Sequence, residues 1–370
     1  LIRTHRDEAE RTRQIPRPVF EAIARARLHQ LYLPKSLGGQ EVDPLTFVRV
    51  IEEVARADGS VAWALGIWAT YGVFGGYLPE AAAREIYAAP DSVIAGTVNP
   101  TGTARAVPGG YRVSGRWGYG SGIAHASWVL GNCIVYDGDD RRLNRDGSPE
   151  QRIVFVPAPD CQIKDTWHVG GLRGTGSNDY SFADVFVPEE RTCLAFVAPP
   201  TQSGPLYRCP FGTTFVASIT APALGIARGA LDAFQELAGA KTPTGTTGLL
   251  RDRVPAQIDY ARAEALLRSA RAFLFETIEE VWETAVAGRE VTAEQRALVR
   301  IACTHAAQSA AQAVDLVRNA GGATVLYESS PLERAFRDVH AATQHFGVSP
   351  LYFEIGGKVL LGLSPGTSRF

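Results

Sequence analysis

The sequence predicts an α+β protein in three consecutive pieces: an N-terminal helical domain over 1–90, a middle antiparallel β domain over 91–200 and a C-terminal helical bundle over 201–370. Three observations carry this reading. Apolar residues in the first piece recur at spacings of three and four. The second piece breaks into short β-rich runs separated by Gly, Pro, Asn and Asp. The third returns to long amphipathic runs of helix formers. Where three such pieces meet they leave a crevice, a common place for a cofactor.

In DPLTFVRVIEEVARAD (43–58), Asp43 is placed to cap a helix whose first residue is Pro44. Phe47, Val50, Ile51 and Val54 then form one buried stripe, and PEAAAREIYAA (79–89) adds a shorter helix. Between them lies an uncharged run, 59–79, long enough to cross a membrane. Its flanks are Asp58 and Glu80 and it holds five glycines, so it reads as a buried helix turning into a loop. The runs SVIAGTV, GYRVSG, SWVLGNCIVY, RIVFVPA and YSFADVFVP predict antiparallel strands of a compact sheet or barrel, with 137–151 as a surface hairpin loop. Helices are expected over 211–239, 252–287 and 292–319, with a shorter set over 331–362.

Composition narrows the function. Net charge is −2 with scattered Lys and Arg, which gives no footprint for nucleic acid or an anionic membrane. Five cysteines lie far apart without a CxxC pair, which suits a reducing cytoplasm better than a disulfide framework or a zinc site. The charged opening LIRTHRDEAERTR does not read as a signal peptide. GGLRGTGSN (170–178) lacks the GxGxxG spacing, no Walker loop occurs, and Ser121 in GYGSGI falls one residue short of GxSxG. HExxH is absent, and His340 and His345 stand five apart, off one helical face.

SGRWGYGSGIAHASW (114–128) follows neither period: glycines alternate with Trp117, Tyr119 and Ser121. Alone it reads as a β-turn region with core aromatics. Together with LYLPKSLGGQEVD (31–43), EEVARADGSVAW (52–63), DTWHVGGLRGTGSNDYSFADVFVP (165–188) and ERAFRDVHAATQH (333–345), it resembles the acyl-CoA dehydrogenase superfamily. Within that superfamily the chain is similar to the two-component (group D) flavin-dependent monooxygenases.

The resemblance implies a helical domain, a middle antiparallel β-barrel and a C-terminal four-helix bundle, with the flavin between barrel and bundle. It also implies a homotetramer that takes reduced FMN or FAD from a separate NAD(P)H-dependent flavin reductase. With O2 and through a flavin hydroperoxide, such an enzyme hydroxylates an aromatic or heteroaromatic small molecule. By the same match Trp117 and Tyr119 offer aromatic surface to the cofactor, and Ser121 stands at flavin N5. Asn99, Thr101 and Thr103 lie in a loop (99–104) beside the pyrimidine edge. Lys241 stands where dehydrogenases carry an Arg from a neighbouring subunit, and Gly321 and Gly322 match a turn at the cofactor's far end, although a helix C-cap also explains them.

A dehydrogenase needs a carboxylate to abstract the substrate's α-proton. Phe346 and Phe215 occupy the two matching places, which favours oxygenation. His345 is the candidate base or hydrogen-bond partner, against a solvated ring at a helix end. His125 reads as structural. Trp63, Trp68, Tyr71 and Phe74 lie on the uncharged run, and Trp68 and Tyr71 are the candidate substrate contacts beside His345. Alternatives are an acyl-CoA dehydrogenase-like oxidoreductase with another base, an amine or amino-sugar N-hydroxylase, and a catalytically silent binding protein.

Overall fold

The computed structural model describes residues 1–194 and 198–367. Five helices come first: α1 (Ile2–Thr12), α2 (Arg17–Arg25), α3 (Pro44–Ala57), α4 (Gly59–Tyr71) and α5 (Glu80–Tyr87). Asp43 caps α3, its carboxylate accepting the Thr46 N–H at 2.8 Å, and Phe47 and Ile51 on that helix are fully buried. Asp58 caps α4 in the same way through the Val61 N–H at 2.9 Å. α4 is the uncharged run, apolar all round because it is enclosed all round; Trp63 is its one residue that is not buried.

The middle sheet comprises β1 (Ile94–Val107), β2 (Gly110–Gly120), β3 (Trp128–Asp137), β4 (Asp140–Arg141), β5 (Gln151–Pro157), β6 (Gln162–Lys164), β7 (Asn178–Pro188) and β8 (Thr192–Cys193). The order is β6-β7-β2-β1-β3-β5-β8, with β4 paired to β3. This corrects two expectations. The sheet is open rather than a closed barrel, because its edge strands β6 and β8 are very short and do not pair with each other. Nor is it wholly antiparallel: β1 takes its hairpin partner β2 on one side and β3 in parallel on the other, after the chain crosses over at 121–127. The stretch 99–104, expected as a loop, belongs to β1, with irregular pairing around Pro100.

The sheet's core is aromatic. Trp117 is fully buried, stacked on Tyr180 with centroids 5.5 Å apart and tilted against Phe182 at 4.9 Å. Its indole N–H donates to the Asn132 carbonyl at 3.0 Å. A Cβ at Gly102, Gly115 or Gly131 would run into the same ring, so those glycines form its slot. The expectation that Trp117 faces a cofactor is therefore corrected, since its surface is spent inside the sheet.

The rest is helical: α6 (Phe211–Ala240), α7 (Val254–Val286), α8 (Ala293–Gly321), α9 (Pro331–Ala342) and α10 (Leu351–Leu360). α6 is the centre, packed against α3, α4, α8 and α9. It is long and apolar enough to cross a membrane, but 89% of its most apolar window is buried inside the protein, as a core helix requires. Trp117→Ala should destabilise the protein by about 3–5 kcal/mol, because the glycine slot cannot collapse onto the space left. Urea unfolding measures this, and a loss under 1 kcal/mol would contradict the packing account.

Candidate active site

At the end of β2 the pairing with β7 slips between Trp117 and Gly120, taking Gly118 and Tyr119 out of register. Tyr119 has φ 65, left-handed backbone that a bulky residue rarely adopts. Its carbonyl accepts the Ser121 N–H at 2.9 Å, closing a tight turn. The turn exposes the Tyr119 ring (72%), edge-on to Trp167 at 6.2 Å, and sends Ser121 inward to 3% exposure.

Buried Ser121 begins a chain of hydroxyls. Its Oγ lies 2.8 Å from Ser177 Oγ; Ser177 donates to Thr175 Oγ1 at 2.7 Å, and Thr175 donates to the Leu172 carbonyl at 2.8 Å. Each hydroxyl has one proton, so the carbonyl at the far end fixes the direction of all three. Ser177 has spent its proton on Thr175, so Ser121 must donate to Ser177. Trp63 Nε1–H occupies one lone pair of Ser121 Oγ at 3.2 Å. One lone pair remains, and Ser121 can offer a ligand an acceptor only.

The chain is anchored by Asp338, wholly buried, whose carboxylate accepts the Leu172 N–H at 2.6 Å. Burial, with Asp58 close by, pushes its pKa up to about 7. Trp63 also links Ser121 to His345, whose ring centroid lies 5.7 Å away; Phe215 at 5.8 Å and Phe346 at 4.7 Å complete the surround. The two phenylalanines thus put apolar carbon where a dehydrogenase base is expected. Burial, helped by the charge of Arg300, pushes the His345 pKa down to about 4. The Gly347 N–H donates to Nδ1 at 3.1 Å, which leaves the proton of the neutral ring on Nε2. His345 is therefore not the base titrating near neutrality that was expected. His345 is a neutral imidazole with a donor at Nε2.

Other expected residues fall elsewhere. Trp68 and Tyr71 are core: Trp68 is edge-on to Phe20 and His125, and the Tyr71 hydroxyl donates to the Gly96 carbonyl at 3.0 Å. The expectation that they contact substrate is corrected, since both are enclosed; Trp63 is the partly exposed aromatic of α4. Thr101 and Thr103 donate to the Arg116 and Ser114 carbonyls at 3.0 and 3.2 Å, so their protons serve the β1–β2 pair, and Asn99 is exposed. Lys241 and Gly321 do come together, Nζ donating to the Gly321 carbonyl at 2.6 Å with Gly322 adjacent. They meet at the C-terminal end of α6, about 39 Å along its axis from Phe215. His125, read as structural, bonds the Ile15 carbonyl at 2.7 Å and stacks on Phe20.

A backbone strip out of register, an exposed Tyr119 ring with the half-buried Trp167 beside it, and a lone acceptor next to them suit a flat heterocycle with an N–H on one edge. The isoalloxazine of reduced flavin is such a group, and the residues present fit it. Fold and site together define a protein of the acyl-CoA dehydrogenase type without the dehydrogenase base.

Comparison with known proteins agrees. Residues 1–81 match the family described as Acyl-CoA dehydrogenase, N-terminal domain, and 217–350 the corresponding C-terminal domain. Indole-3-acetate monooxygenase of Pseudomonas putida is 35% identical over 97% of this chain and 90% of its own. The flavin-dependent monooxygenase oxygenase subunit HsaA of Rhodococcus jostii is 32% identical over 94% and 92%. The structure of XiaF from Streptomyces in complex with FADH2 and glycerol superposes with a TM-score of 0.90, at 26% identity over 100% of this chain and 94% of that one. The chain belongs to the acyl-CoA dehydrogenase superfamily, in its branch of flavin-dependent monooxygenase oxygenase components.

The depressed His345 pKa has a consequence for stability. A histidine whose folded pKa lies below its unfolded ~6.5 binds its proton more readily unfolded. Its contribution is complete above about pH 6.5 and is lost as pH falls towards 4. The stability difference between wild type and His345→Gln should therefore move against the wild type over that window. Asp338 shifts the opposite way, but both proteins share it, so it cancels. Denaturant unfolding at several pH values reads the difference, and a constant difference would contradict the assignment.

Proposed function

We propose that this chain is the oxygenase component of a two-component monooxygenase that hydroxylates a flat aromatic or heteroaromatic small molecule. It would use reduced FMN or FAD from a separate NAD(P)H-dependent flavin reductase, together with O2. The observation that carries this is the direction of the hydroxyl chain. Ser121 can only accept, and N5 carries a hydrogen in reduced flavin but none in the oxidised form. When bound, reduced flavin supplies two electrons with which O2 is split, one oxygen atom going to the substrate and the other to water.

The chain's own residues do the rest. Ser121 would hold N5–H while Trp63 and Ser177 keep its hydroxyl from turning. Tyr119 and Trp167 offer flat surface to the ring. Trp63 and Phe215 shield His345 from water, and its Nε2–H would hold a proton ready for an oxygen or nitrogen atom of the substrate. Lys241, Gly321 and Gly322 lie too far along α6 to serve a ligand at Ser121 of the same chain. Assembly into a homotetramer, with one copy's bundle end meeting a neighbour's flavin, is the arrangement that gives them a role. All five cysteines are free, in keeping with a cytoplasmic setting.

Two measurements test the reading. With the reductase, NADH, flavin and 18O2, one labelled atom should enter an indole or phenol ring; anaerobic bleaching of bound oxidised flavin by an acyl-CoA would overturn it in favour of dehydrogenation. Ser177→Ala frees the Ser121 proton to turn outward. The preference for reduced over oxidised flavin, read by anaerobic titration, should then fall by about tenfold, the worth of one hydrogen bond.

A further inference from the structure

The side chain that the hydroxylation mechanism does not use is Arg300 on α8, only 5% exposed. Its Nε has no hydrogen-bond partner, and among the described residues no carboxylate lies within ion-pair distance of its guanidinium. Arg152, Arg334 and Arg337 are also well covered but paired, with Glu150, with Asp7, and with Glu10 and Glu333; Arg318, stacked on Phe336 at 4.1 Å, has no ion pair among the described residues either but is less buried than Arg300. The Arg300 guanidinium lies 3.6 Å from the centroid of the Tyr352 ring. Such a stack offsets only part of the cost of burying a lone cation. The deficit stands unless an anion comes from outside the chain.

The position of Arg300 says where that anion would sit. α8 packs against the Phe346–Val348 turn that follows His345, and α6 packs on the same turn. The guanidinium is near enough to the His345 ring for its charge to be felt there. It therefore lies beside the rings of Trp63, Phe215 and Phe346 that surround His345, and the Nε–H of its planar donor fork has no partner. That fork matches the two oxygens of a carboxylate better than any single-point anion.

We propose that Arg300 is a substrate-binding residue and that the aromatic substrate carries a carboxylate, held by Arg300 while its ring lies against Trp63. This rests on the hydroxylase reading for the pocket but not on its chemistry. The test is a matched pair of probes, indole-3-acetate and its methyl ester, measured for binding by calorimetry and for oxygenation with the reductase present.

Wild type should bind the acid at least 100-fold more tightly than the ester. Arg300→Gln should lose about 100-fold for the acid and little for the ester, with Arg300→Lys between them. Arg300→Met, which removes the buried charge, should leave the melting temperature of the ligand-free protein unchanged or raise it. Equal binding of acid and ester by wild type, binding of neither, or equal losses in Arg300→Gln would overturn the proposal, as would a marked fall in melting temperature for Arg300→Met. Acid binding through Arg300 without oxygenation would leave this assignment standing and sink the hydroxylase reading. Oxygenation of both probes without preference would do the reverse.

Discussion

The junction between sheet and bundle is tied by a hydrogen bond from the Leu172 N–H to the buried carboxylate of Asp338, beside a second from Arg337 to the Gly170 carbonyl. Leu172 lies in the loop that runs from β6 to β7, and Asp338 is on α9, so the bond ties the second piece of the chain to the third. It also fixes the Leu172 carbonyl, the terminal acceptor that sets the direction of every hydroxyl back to Ser121. A carboxylate with this little water is costly to keep ionised, and the neighbouring Asp58 adds to the cost. The expense falls where the geometry of the loop matters most.

The environment on the two sides of Trp63 follows from that frame. Towards Ser121 its indole N–H is committed to a directed polar chain. Towards His345 its ring is part of an aromatic surround that keeps an imidazole neutral. One side of the site is thereby limited to accepting and the other to donating. Neither side supplies a carboxylate, in contrast to the base that a dehydrogenase of this superfamily needs.

Much of this was legible from local sequence and some was not, for identifiable reasons. Asp43, Pro44 and the Phe47–Ile51 stripe act within a few residues, so the helix they make is found where the pattern puts it. The parallel pairing of β1 with β3 and the failure of β6 to meet β8 are matters of long-range register, which no local run encodes. Trp117 and Tyr119 share a strand parity and so read as one aromatic wall; the bulge between Trp117 and Gly120 breaks that parity and parts them. On α4 the reverse happened. Aromatic spacing pointed to Trp68 and Tyr71, and only the packing of neighbouring elements leaves Trp63 reaching Ser121. Ser177 was hidden by its ordinariness, and Arg300 looked like one of many helix cations until its surroundings showed no anion.

Tyr119 also bears on how such a site changes over time. A bulky residue in left-handed backbone is a standing penalty, and glycine would remove it at once. Selection for a sturdier fold therefore pulls this position towards glycine, while any demand for a flat surface at the mouth of the site holds the ring in place. A lineage released from binding its ligand should shed this tyrosine early, which would make position 119 a marker of lost function among otherwise well-folded descendants.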